Sequence, residues 1–503
     1  MKKKGKKLAA FAVTVFCCAA LASCTSESDI LHIIPPEKAD SEQSIAAPTF
    51  TTETTTQTSA TTVTTTSETS STTTTVTTRP PEIYRGSVFD CRRNLLTFSD
   101  ITDNGSEKRI YTEKYKMSLG NIISEYSGGV DRVFEETLRI RNRTSVNNRN
   151  DIGQSVQLTI DADVQADIYN YMQQQNIIGS VVVMRTDGSL MAEVSYPSYD
   201  AVKYDADLAY REELAPGTLG NKAFQNMPPG STFKIMSEVI SDKNGIQSLY
   251  DEGTWEVDGA EIVNWDHDTG FYPIEERTLL SAFINSSNIF FAKAFDMIGE
   301  EQVECDLDRI FHFITPIYCD FGPIENTFLI NYRDDLRRSA FGQSNVRTCP
   351  IYLAALGREA VFGEMVTPFI VQSVVDTNNP KDDISPGTAP YEVLGSIPQE
   401  YRQNLLDGMS GVGSNLGVWC PDGYNFYAKT GTAETGGDDI LYITGVLQNY
   451  GQNCGDGNRW SDYGSYCGSY IIVMQLQNPS DFKFNFASES GSLYQGIINI
   501  VLR

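Results

Sequence analysis

Histidine is scarce in this sequence of 503 residues, which contains only His32, His267 and His312. The sequence also lacks a Gly-x-Ser-x-Gly motif. A hydrolase that uses a Ser-His-Asp triad is therefore poorly supported. An enzyme that acylates a serine without histidine needs another base, and lysine is the usual replacement.

The N-terminal apolar run is too short for a conventional membrane-spanning helix. It extends from Leu8 to Ala22, whereas a bilayer requires about 18–20 apolar residues. Five lysines precede it between Lys2 and Lys7. A positive segment followed by a short apolar one is typical of a secretory signal, so we expect residues 1–23 to be a signal peptide.

The apolar run ends in Leu21-Ala22-Ser23-Cys24, which resembles the lipobox of bacterial lipoproteins. The resemblance implies that Cys24 is acylated and becomes the new N-terminus. The rest of the chain would then lie outside the cytoplasm, anchored to the outer face of the cytoplasmic membrane. Ordinary cleavage that leaves a free Cys24 and an uncleaved anchor are the alternatives.

Basic residues are outnumbered by acidic ones in this chain. The formal net charge is −26, and removal of residues 1–23, with five lysines and no acidic residue, would leave −31. Such a chain has no electrostatic reason to bind nucleic acid or an anionic lipid surface. No nucleic-acid partner is therefore expected.

Residues 24–81 predict a disordered tether. Between Thr51 and Thr78, 18 of 28 residues are threonine and none is aromatic. Such a segment cannot bury enough apolar surface to offset the entropy of ordering it. The tether would span about 40 Å as a flexible coil and about 190 Å when stretched.

The remaining residues predict a small N-terminal region, residues 82–150, followed by a large domain, residues 151–503. The boundary falls in a polar stretch rich in Arg and Asn, residues 141–153. The large domain mixes helix and strand signals without βαβ alternation, which predicts an α+β fold with an antiparallel sheet covered by helices. The predicted elements are a strand over 155–160, a helix from Asp161 through Met172, a hairpin over 180–194, strands over 442–447 and 470–476, and a closing helix over 490–503.

Ser231 and Lys234 are the candidate nucleophile and its partner. Pro228-Pro229-Gly230 stops any preceding element, and an apolar face of helical spacing follows. Ser231 would thus lie at a helix N-terminus, where backbone N–H groups can stabilise an oxyanion. Lys234 would lie one turn later on the same face.

Ser-x-x-Lys alone is a weak signal, because Ser480 and Lys483 have the same spacing. The order of motifs separates the two. Ser231-x-x-Lys234 is followed by Ser286-Ser287-Asn288 and then by Lys429-Thr430-Gly431-Thr432, whereas Ser480 comes after that last motif. Lys-Thr-Gly occurs once in the chain.

This ordered set of three motifs resembles that of the class B penicillin-binding transpeptidases and of related β-lactamases. The resemblance extends from about Arg85 to the C-terminus. Further segments that resemble the family are Arg85-Gly86-Ser87-Val88-Phe89-Asp90, Ser195-Tyr196-Pro197-Ser198-Tyr199-Asp200, Asn221-Lys222-Ala223-Phe224-Gln225, Ala340-Phe341-Gly342-Gln343 with Val366-Thr367-Pro368, and Ala428-Lys429-Thr430-Gly431-Thr432-Ala433-Glu434.

The resemblance implies a penicillin-binding fold and a peptidoglycan D,D-transpeptidase. Ser231 would attack the penultimate D-Ala of a stem peptide, and Lys234 would accept its proton. Ser286 would relay a proton between the lysines and the leaving amine, and Asn288 would bind the peptide backbone. Lys429 would favour a neutral Lys234 and attract the substrate carboxylate.

The last motif would complete the site. The resemblance implies an oxyanion hole from the N–H groups of Ser231 and Thr432, and a grip on the terminal carboxylate from the hydroxyls of Thr430 and Thr432, with Gly431 between them. Which group is the base at each step stays open at this point.

The expected partners are peptidoglycan stem peptides, β-lactam antibiotics, the membrane through the lipid on Cys24, and proteins of cell-wall synthesis or division. No cofactor and no metal are expected; Trp265-Asp266-His267-Asp268 is interpreted as a plain loop. Two alternatives remain: a class D-like β-lactamase or β-lactam sensor, suggested by Ser231-Thr232-Phe233-Lys234, and a non-catalytic wall-binding scaffold.

The sequence departs from the family in several respects. The region 82–150 is short for a class B pedestal, and no glycosyltransferase-sized region precedes it. The membrane anchor resembles a lipid, whereas most relatives use a helix. A long polar insert follows Glu434 and extends through Tyr466.

Seven cysteines follow Cys24. Outside the cytoplasm disulfides can form between them, and the candidate pairs nearest in sequence are Cys305 with Cys319 and Cys454 with Cys467.

Overall fold

A computed structural model describes residues 83–142, 152–267, 274–386, 392–450 and 468–503. Within them the strands are β1 Val88–Phe89, β2 Leu95–Ile101, β3 Glu107–Tyr111, β4 Ser155–Leu158, β5 Gly179–Arg185, β6 Leu190–Tyr196, β7 Ser248–Asp251, β8 Thr254–Val257, β9 Ala260–Val263, β10 Glu275–Thr278, β11 Ile317–Cys319, β12 Gly322–Ile324, β13 Thr327–Phe328, β14 Val346–Arg347, β15 Glu364–Val366, β16 Val371–Asp376, β17 Asn379–Pro386, β18 Val393–Ser396, β19 Tyr424–Ala433, β20 Ile440–Asn449 and β21 Tyr470–Leu476.

The α-helices of the same residues fall into short connecting turns and longer packing helices. They are α1 Gly120–Ile123, α2 Val130–Val133, α3 Glu135–Leu138, α4 Ala162–Gln175, α5 Ala201–Ala206, α6 Leu208–Glu213, α7 Lys234–Lys243, α8 Leu279–Ile284, α9 Asn288–Ile298, α10 Glu300–Phe311, α11 Arg333–Ser339, α12 Pro350–Phe362, α13 Gln399–Asn415, α14 Pro479–Phe482 and α15 Gly491–Val501.

The main sheet has five strands in the order β19-β20-β21-β5-β6, and every neighbouring pair is antiparallel. Alternate residues of a strand point to opposite faces of the sheet. Val182 and Val473 accordingly join one buried core and Val181 and Met474 the other. A sheet buried on both faces, with helices outside it, is the α+β arrangement that the sequence predicts.

The two faces of the main sheet are covered by different helices. The buried helix α12 packs on one face, against β5, β20 and β21. Helices α4 and α15 pack together, and Ile168, Tyr169 and Met172 of α4 share the core of the opposite face with the buried apolar residues of α15. Asp161 caps α4, because its carboxylate accepts hydrogen bonds from the N–H groups of Asp163 and Val164. The helix after Asp161, the hairpin over 180–194 and the closing helix, all predicted from the sequence, are present in the structure.

A second sheet joins the N-terminal strands to the rest of the chain. Its strand order is β17-β16-β4-β1-β2-β3, and β1 runs parallel to β4. Residues on both sides of position 150 therefore share one sheet. The division into regions 82–150 and 151–503 stays a prediction.

The structure bears on two further points, the pairing of cysteines and the presence of membrane-spanning helices. Cys319 has a free thiol that lies 2.6 Å from the carbonyl oxygen of Gly322, so it forms no disulfide with Cys305. Cys454, Cys467 and most of the polar insert lie outside the described residues. No helix in the described ranges combines the length and the apolarity needed to cross a membrane.

Candidate active site

Ser231 lies in a 3₁₀ turn, Gly230–Phe233, that leads directly into α7. Gly230 has a φ of +53°, and a side chain there would meet the carbonyl oxygen of Thr432 at 2.4 Å. The tight approach of β19 to this turn therefore requires glycine. The predicted helix start is present, with one 3₁₀ turn before the α-helix.

Lys234 is the centre of a polar cluster, although its side chain is fully buried. Its Nζ lies 2.9 Å from Ser231 Oγ, the contact that the Ser-x-x-Lys spacing predicts. It donates to Ser286, with 2.7 Å to the carbonyl oxygen and 3.2 Å to Oγ. Asn288 Oδ1 is 2.7 Å away. One amine thus connects the first two motifs.

Ser286 lies in the turn between α8 and α9 and has a φ of +56°. That conformation is uncommon for a residue other than glycine and is strained. It lets one residue present both its carbonyl and its hydroxyl to Lys234. Asn288, two residues later, also donates from Nδ2 to the Val263 carbonyl oxygen at 2.9 Å.

Lys429 approaches the same cluster from β19, the edge strand of the main sheet. Its Nζ donates to Ser286 Oγ at 3.0 Å and to the Thr430 carbonyl oxygen at 3.1 Å. Ser286 Oγ therefore lies between two lysine amines. Gly431 lets the strand approach, because a side chain there would meet the Pro229 carbonyl oxygen at 2.7 Å.

Burial lowers the pKa of both lysines, because a buried amine is disfavoured in its charged form. The pKa of Lys234 falls well below its ordinary value, first through burial and then through the charge of Lys429, while the charge of Asp251 opposes the shift. Burial lowers the pKa of Lys429 to about 7. A neutral Lys234 can accept a proton from Ser231, which is the property that a base requires.

These groups open into a cleft of about 900 Å³. Ser231, Ser286, Thr430 and Thr432 line it, together with Trp265 and residues of the segment before α15. The rings of Trp265 and Phe486 meet with centroids 5.0 Å apart in an edge-to-face contact. The cleft is large enough to hold a peptide segment or a small drug.

The structure brings Ser231, Lys234, Ser286, Asn288 and Lys429 together and places Thr430 and Thr432 in the cleft. One side chain differs from its expected availability, because the amide of Asn288 is engaged at both ends, by Lys234 and Val263. The hydroxyl of Thr432 accepts a hydrogen bond from the Ala487 N–H at 3.3 Å, and its own proton can still be donated to a carboxylate.

Sequence reasoning missed the residues that support the second motif. Asp251, Asn264 and Ser287 form a buried hydrogen-bonded group directly behind it. The serine at position 287 was visible in the motif itself. Asp251 and Asn264 carry no spacing signal, because they are 36 and 23 residues away from Ser287.

The loop from Trp265 to His267 borders the cleft, and Asp268 lies outside the described residues. The Trp265 indole donates to the Asn285 carbonyl oxygen at 2.9 Å. Among the residues with described positions, no group of three His, Cys, Asp or Glu side chains could hold a metal ion.

Residues 179–443 match the family model of the penicillin binding protein transpeptidase domain. Solved structures of the same fold include penicillin-binding protein A from M. tuberculosis as its penicillin G acyl-enzyme complex. That structure is 20% identical, with a TM-score of 0.69, over 84% of this chain and 100% of the other.

Two further solved structures extend the likeness to other organisms. The D,D-transpeptidase domain of a peptidoglycan glycosyltransferase from Eggerthella lenta is 18% identical, with a TM-score of 0.66, over 84% of this chain and 98% of the other. PBP2 from Pseudomonas aeruginosa, in complex with WCK 5153, is 18% identical, with a TM-score of 0.61, over 84% and 96%. At this identity the likeness establishes the fold.

Proposed function

The chain belongs to the penicillin-binding protein transpeptidase family, and we propose that it is a peptidoglycan D,D-transpeptidase with Ser231 as its nucleophile. The observation that carries the proposal is the contact of 2.9 Å between Ser231 Oγ and the buried amine of Lys234. The lowered pKa of that amine supports its role as the base. The substrate would be a stem peptide that ends in D-Ala-D-Ala.

In the first half-reaction Ser231 Oγ attacks the carbonyl carbon of the penultimate D-Ala, and its proton passes to the neutral Lys234. The backbone N–H groups of Ser231 and Thr432 would hold the oxyanion. The C–N bond then breaks, and the leaving amine of D-Ala takes a proton through Ser286. The contacts of Ser286 Oγ with both lysines support this relay.

In the second half-reaction the amine of a neighbouring stem peptide attacks the acyl-enzyme. That amine loses a proton to the Lys234–Ser286 pair, and Ser231 leaves with a proton restored. The cross-link forms as the ester bond breaks. Lys429, Thr430 and Thr432 would bind the terminal carboxylate of the donor peptide, with Lys429 in its charged form as the main attraction.

Asn288 would act on the substrate less directly than the family resemblance implies. Its Oδ1 and Nδ2 contact Lys234 and the Val263 carbonyl. We therefore assign it first to orienting the Lys234 amine, and substrate binding would require one of these bonds to exchange. Gly431 contributes through its small size, which lets β19 lie against the nucleophile turn.

A β-lactam would acylate Ser231 by the same steps, with opening of its ring in place of the loss of D-Ala. The test is to incubate the full chain with a fluorescent penicillin, locate the label by mass spectrometry and follow its release. A transpeptidase is expected to keep the label for minutes or longer and to release D-Ala from a D-Ala-D-Ala stem peptide.

Other outcomes would point to the alternatives. Rapid release of hydrolysed penicillin, without D-Ala release from peptides, would identify a β-lactamase or a sensor. Absence of any label on the folded protein would favour a wall-binding scaffold and would contradict the proposal.

We further propose the domain plan and location that the N-terminal sequence indicates. Residues 1–23 would be removed, Cys24 would carry the lipid, and residues 24–81 would tether the catalytic part to the outer face of the cytoplasmic membrane. Residues 82–150 would form a pedestal-like region before the transpeptidase domain, residues 151–503, within reach of partners in cell-wall synthesis or division. Incorporation of a labelled fatty acid, compared between the wild type and Cys24→Ser, tests the anchor.

A further inference from the structure

Asp251 is a fully buried carboxylate at the end of β7, outside the three motifs. Its Oδ2 lies 2.9 Å from Nε of the buried Arg277 and accepts the hydroxyl of Ser287 at 2.6 Å. The side-chain amide of Asn264 donates to both of its oxygens at 3.0 Å. The N–H of Gly253 donates to Oδ1 at 3.0 Å.

These bonds continue into the turn that carries Ser286 and Asn288. Asn264 Oδ1 accepts the N–H of Asn288 at 2.8 Å, so one amide connects Asp251 to the backbone of the second motif. Ser287 Oγ accepts the N–H of Phe290 at 3.0 Å and so caps α9. The Ser287 hydroxyl therefore connects Asp251 to the first turn of α9.

The turn needs such support, because Ser286 holds a strained positive φ. Its position sets the contacts of Ser286 and Asn288 with Lys234 and the contact of Ser286 with Lys429. Displacement of catalytic groups by about 1 Å can slow a reaction about 100-fold. A buried support that is hydrogen-bonded to the turn is therefore of direct value to the reaction.

We propose that Asp251 is a positioning residue for acylation, which acts through Ser287 and Asn264 to hold the Ser286–Asn288 turn against Lys234 and Lys429. The inference rests on the proposed function, because acylation of Ser231 is the reaction that it would affect. Asp251 contacts neither Ser231 nor the amines of Lys234 and Lys429 in the contacts described above. Its influence would pass through the turn alone, apart from the field of its charge.

Asp251→Asn keeps the size of the side chain and removes its charge. We expect its saturating rate of acylation by penicillin to fall about 10- to 100-fold with little change in apparent affinity. The charges that act on the pKa of Lys234 are Lys429, which lowers it, and Asp251, which raises it. Loss of the Asp251 charge should therefore move the acid limb of the pH–rate profile to lower pH.

Ser287→Ala is the second variant, because it removes the Ser287 link to the turn while the Asn264 link and the Asp251–Arg277 pair stay in place. It should slow acylation without the shift in the acid limb. Asp131→Asn is the matched control: Asp131 is a buried partner of Arg109, with bonds of 2.6 and 3.1 Å, in the N-terminal region. It should lower the melting temperature and leave the acylation rate of the folded protein unchanged.

The outcomes separate the two hypotheses. If the wild type takes no label, the proposed function fails and this inference fails with it. If the wild type is labelled and Ser287→Ala and Asp251→Asn acylate at its rate while folded, the positioning role is wrong. It is equally wrong if Asp131→Asn slows acylation as much as they do. Should Asp251→Asn not fold, the rate of Ser287→Ala decides.

Discussion

Two Ser-x-x-Lys sequences in this chain have the same spacing and opposite environments. Lys234 is fully buried and its amine lies 2.9 Å from Ser231 Oγ. Lys483 is exposed and has a φ of +58°, at the C-terminal end of the four-residue helix α14. The hydroxyl of Ser480 is exposed and donates to Asp438 Oδ2 at 2.9 Å.

The difference shows that spacing alone does not make a nucleophile. In the first sequence the helix continues through Lys234, and the turn that carries Ser286 and Asn288 contacts its amine. In the second sequence the helix ends before the lysine, and the left-handed residue redirects the chain. Burial therefore lowers the pKa of Lys234, whereas Lys483 is exposed.

The strongest test of this contrast replaces each serine. Ser231→Ala should lose covalent labelling by penicillin, a fall in rate of about 10⁴-fold or more, because the attacking atom is removed. Ser480→Ala should be labelled as the wild type is. Labelling is measured by gel fluorescence and mass spectrometry. Label that persists on Ser231→Ala would place the nucleophile elsewhere.

Replacing the lysines should have the next largest effect. Lys234→Met keeps the length of the side chain and removes the base, so the acylation rate should fall about 10²- to 10⁴-fold. Lys483→Met should leave the rate unchanged, since its side chain is exposed. Stopped-flow acylation with a chromogenic β-lactam measures both. Equal losses of rate in the two variants would contradict the proposal that only Lys234 acts in acylation.

The pH dependence should sharpen the contrast between the two lysines of the cleft. The lowered pKa of Lys234 means that it is neutral, and able to act as a base, above that pKa; acylation should therefore fall as the pH is lowered through that pKa. Lys429, with a pKa of about 7, is charged below that value and neutral above it. Acylation by an anionic β-lactam should then decline about tenfold above pH 7, which corresponds to about 1.4 kcal/mol of lost attraction.

The alkaline limb is assigned by substitution. Lys429→Met should react more slowly throughout and should no longer show the decline above pH 7. Lys483→Met should keep the full wild-type profile. A decline that survives in Lys429→Met would mean that another group titrates there. Initial rates between pH 5 and 9, at constant ionic strength, provide the measurement.

The smallest effect on rate is expected from the glycines around each serine. Gly342 has a φ of +74°, and an added side chain would lie 2.1 Å from the Gly230 carbonyl oxygen. Gly342→Ala should cost about 2–4 kcal/mol of unfolding free energy, from backbone conformation and overpacking, and slow acylation several-fold. Urea unfolding and the acylation rate measure the two effects.

Gly436 is the matched glycine near Ser480. It has a φ of +78° and no neighbouring atom within 4 Å of an added side chain. Gly436→Ala should cost only the conformational term, about 1–2 kcal/mol, and leave acylation unchanged. A cost equal to that of Gly342→Ala would show that close packing at the nucleophile turn contributes nothing.

Much of the fold was accessible from local patterns. Asp161 as a cap, the hairpin around Asp187-Gly188 and the strand over 470–476 follow from turn chemistry and periodicity. The pairing of β1 with β4 across 68 residues was not accessible, because β1 is two residues long and carries no periodicity. The position of β1 in the sheet is determined by its partner strand, β4.

The candidate site also has a part that could be predicted from the sequence and a part that could not. The order of the three motifs selected Ser231, Lys234, Ser286 and Lys429. The structure connects these four in a chain of hydrogen bonds, from Ser231 to Lys234, from Lys234 to Ser286 and from Ser286 to Lys429. Neither the strained turn at Ser286 nor its buried support at Asp251 could be recognised from the sequence. A carboxylate on a short strand gains its role only from what surrounds it.

The sequence by itself determined the order of the motifs, which is read directly along the chain. It also determined the helix start at Ser231 and the spacing that turns Lys234 toward it, because these two features depend on neighbouring residues. Only the tertiary structure decided which Ser-x-x-Lys is buried, how Ser286 comes to lie between two amines, and that Asp251 supports that turn. Burial and the shifted pKa values of Lys234 and Lys429 arise from segments that are distant in sequence. Solvent exclusion is a property of the packed assembly, which no single segment possesses.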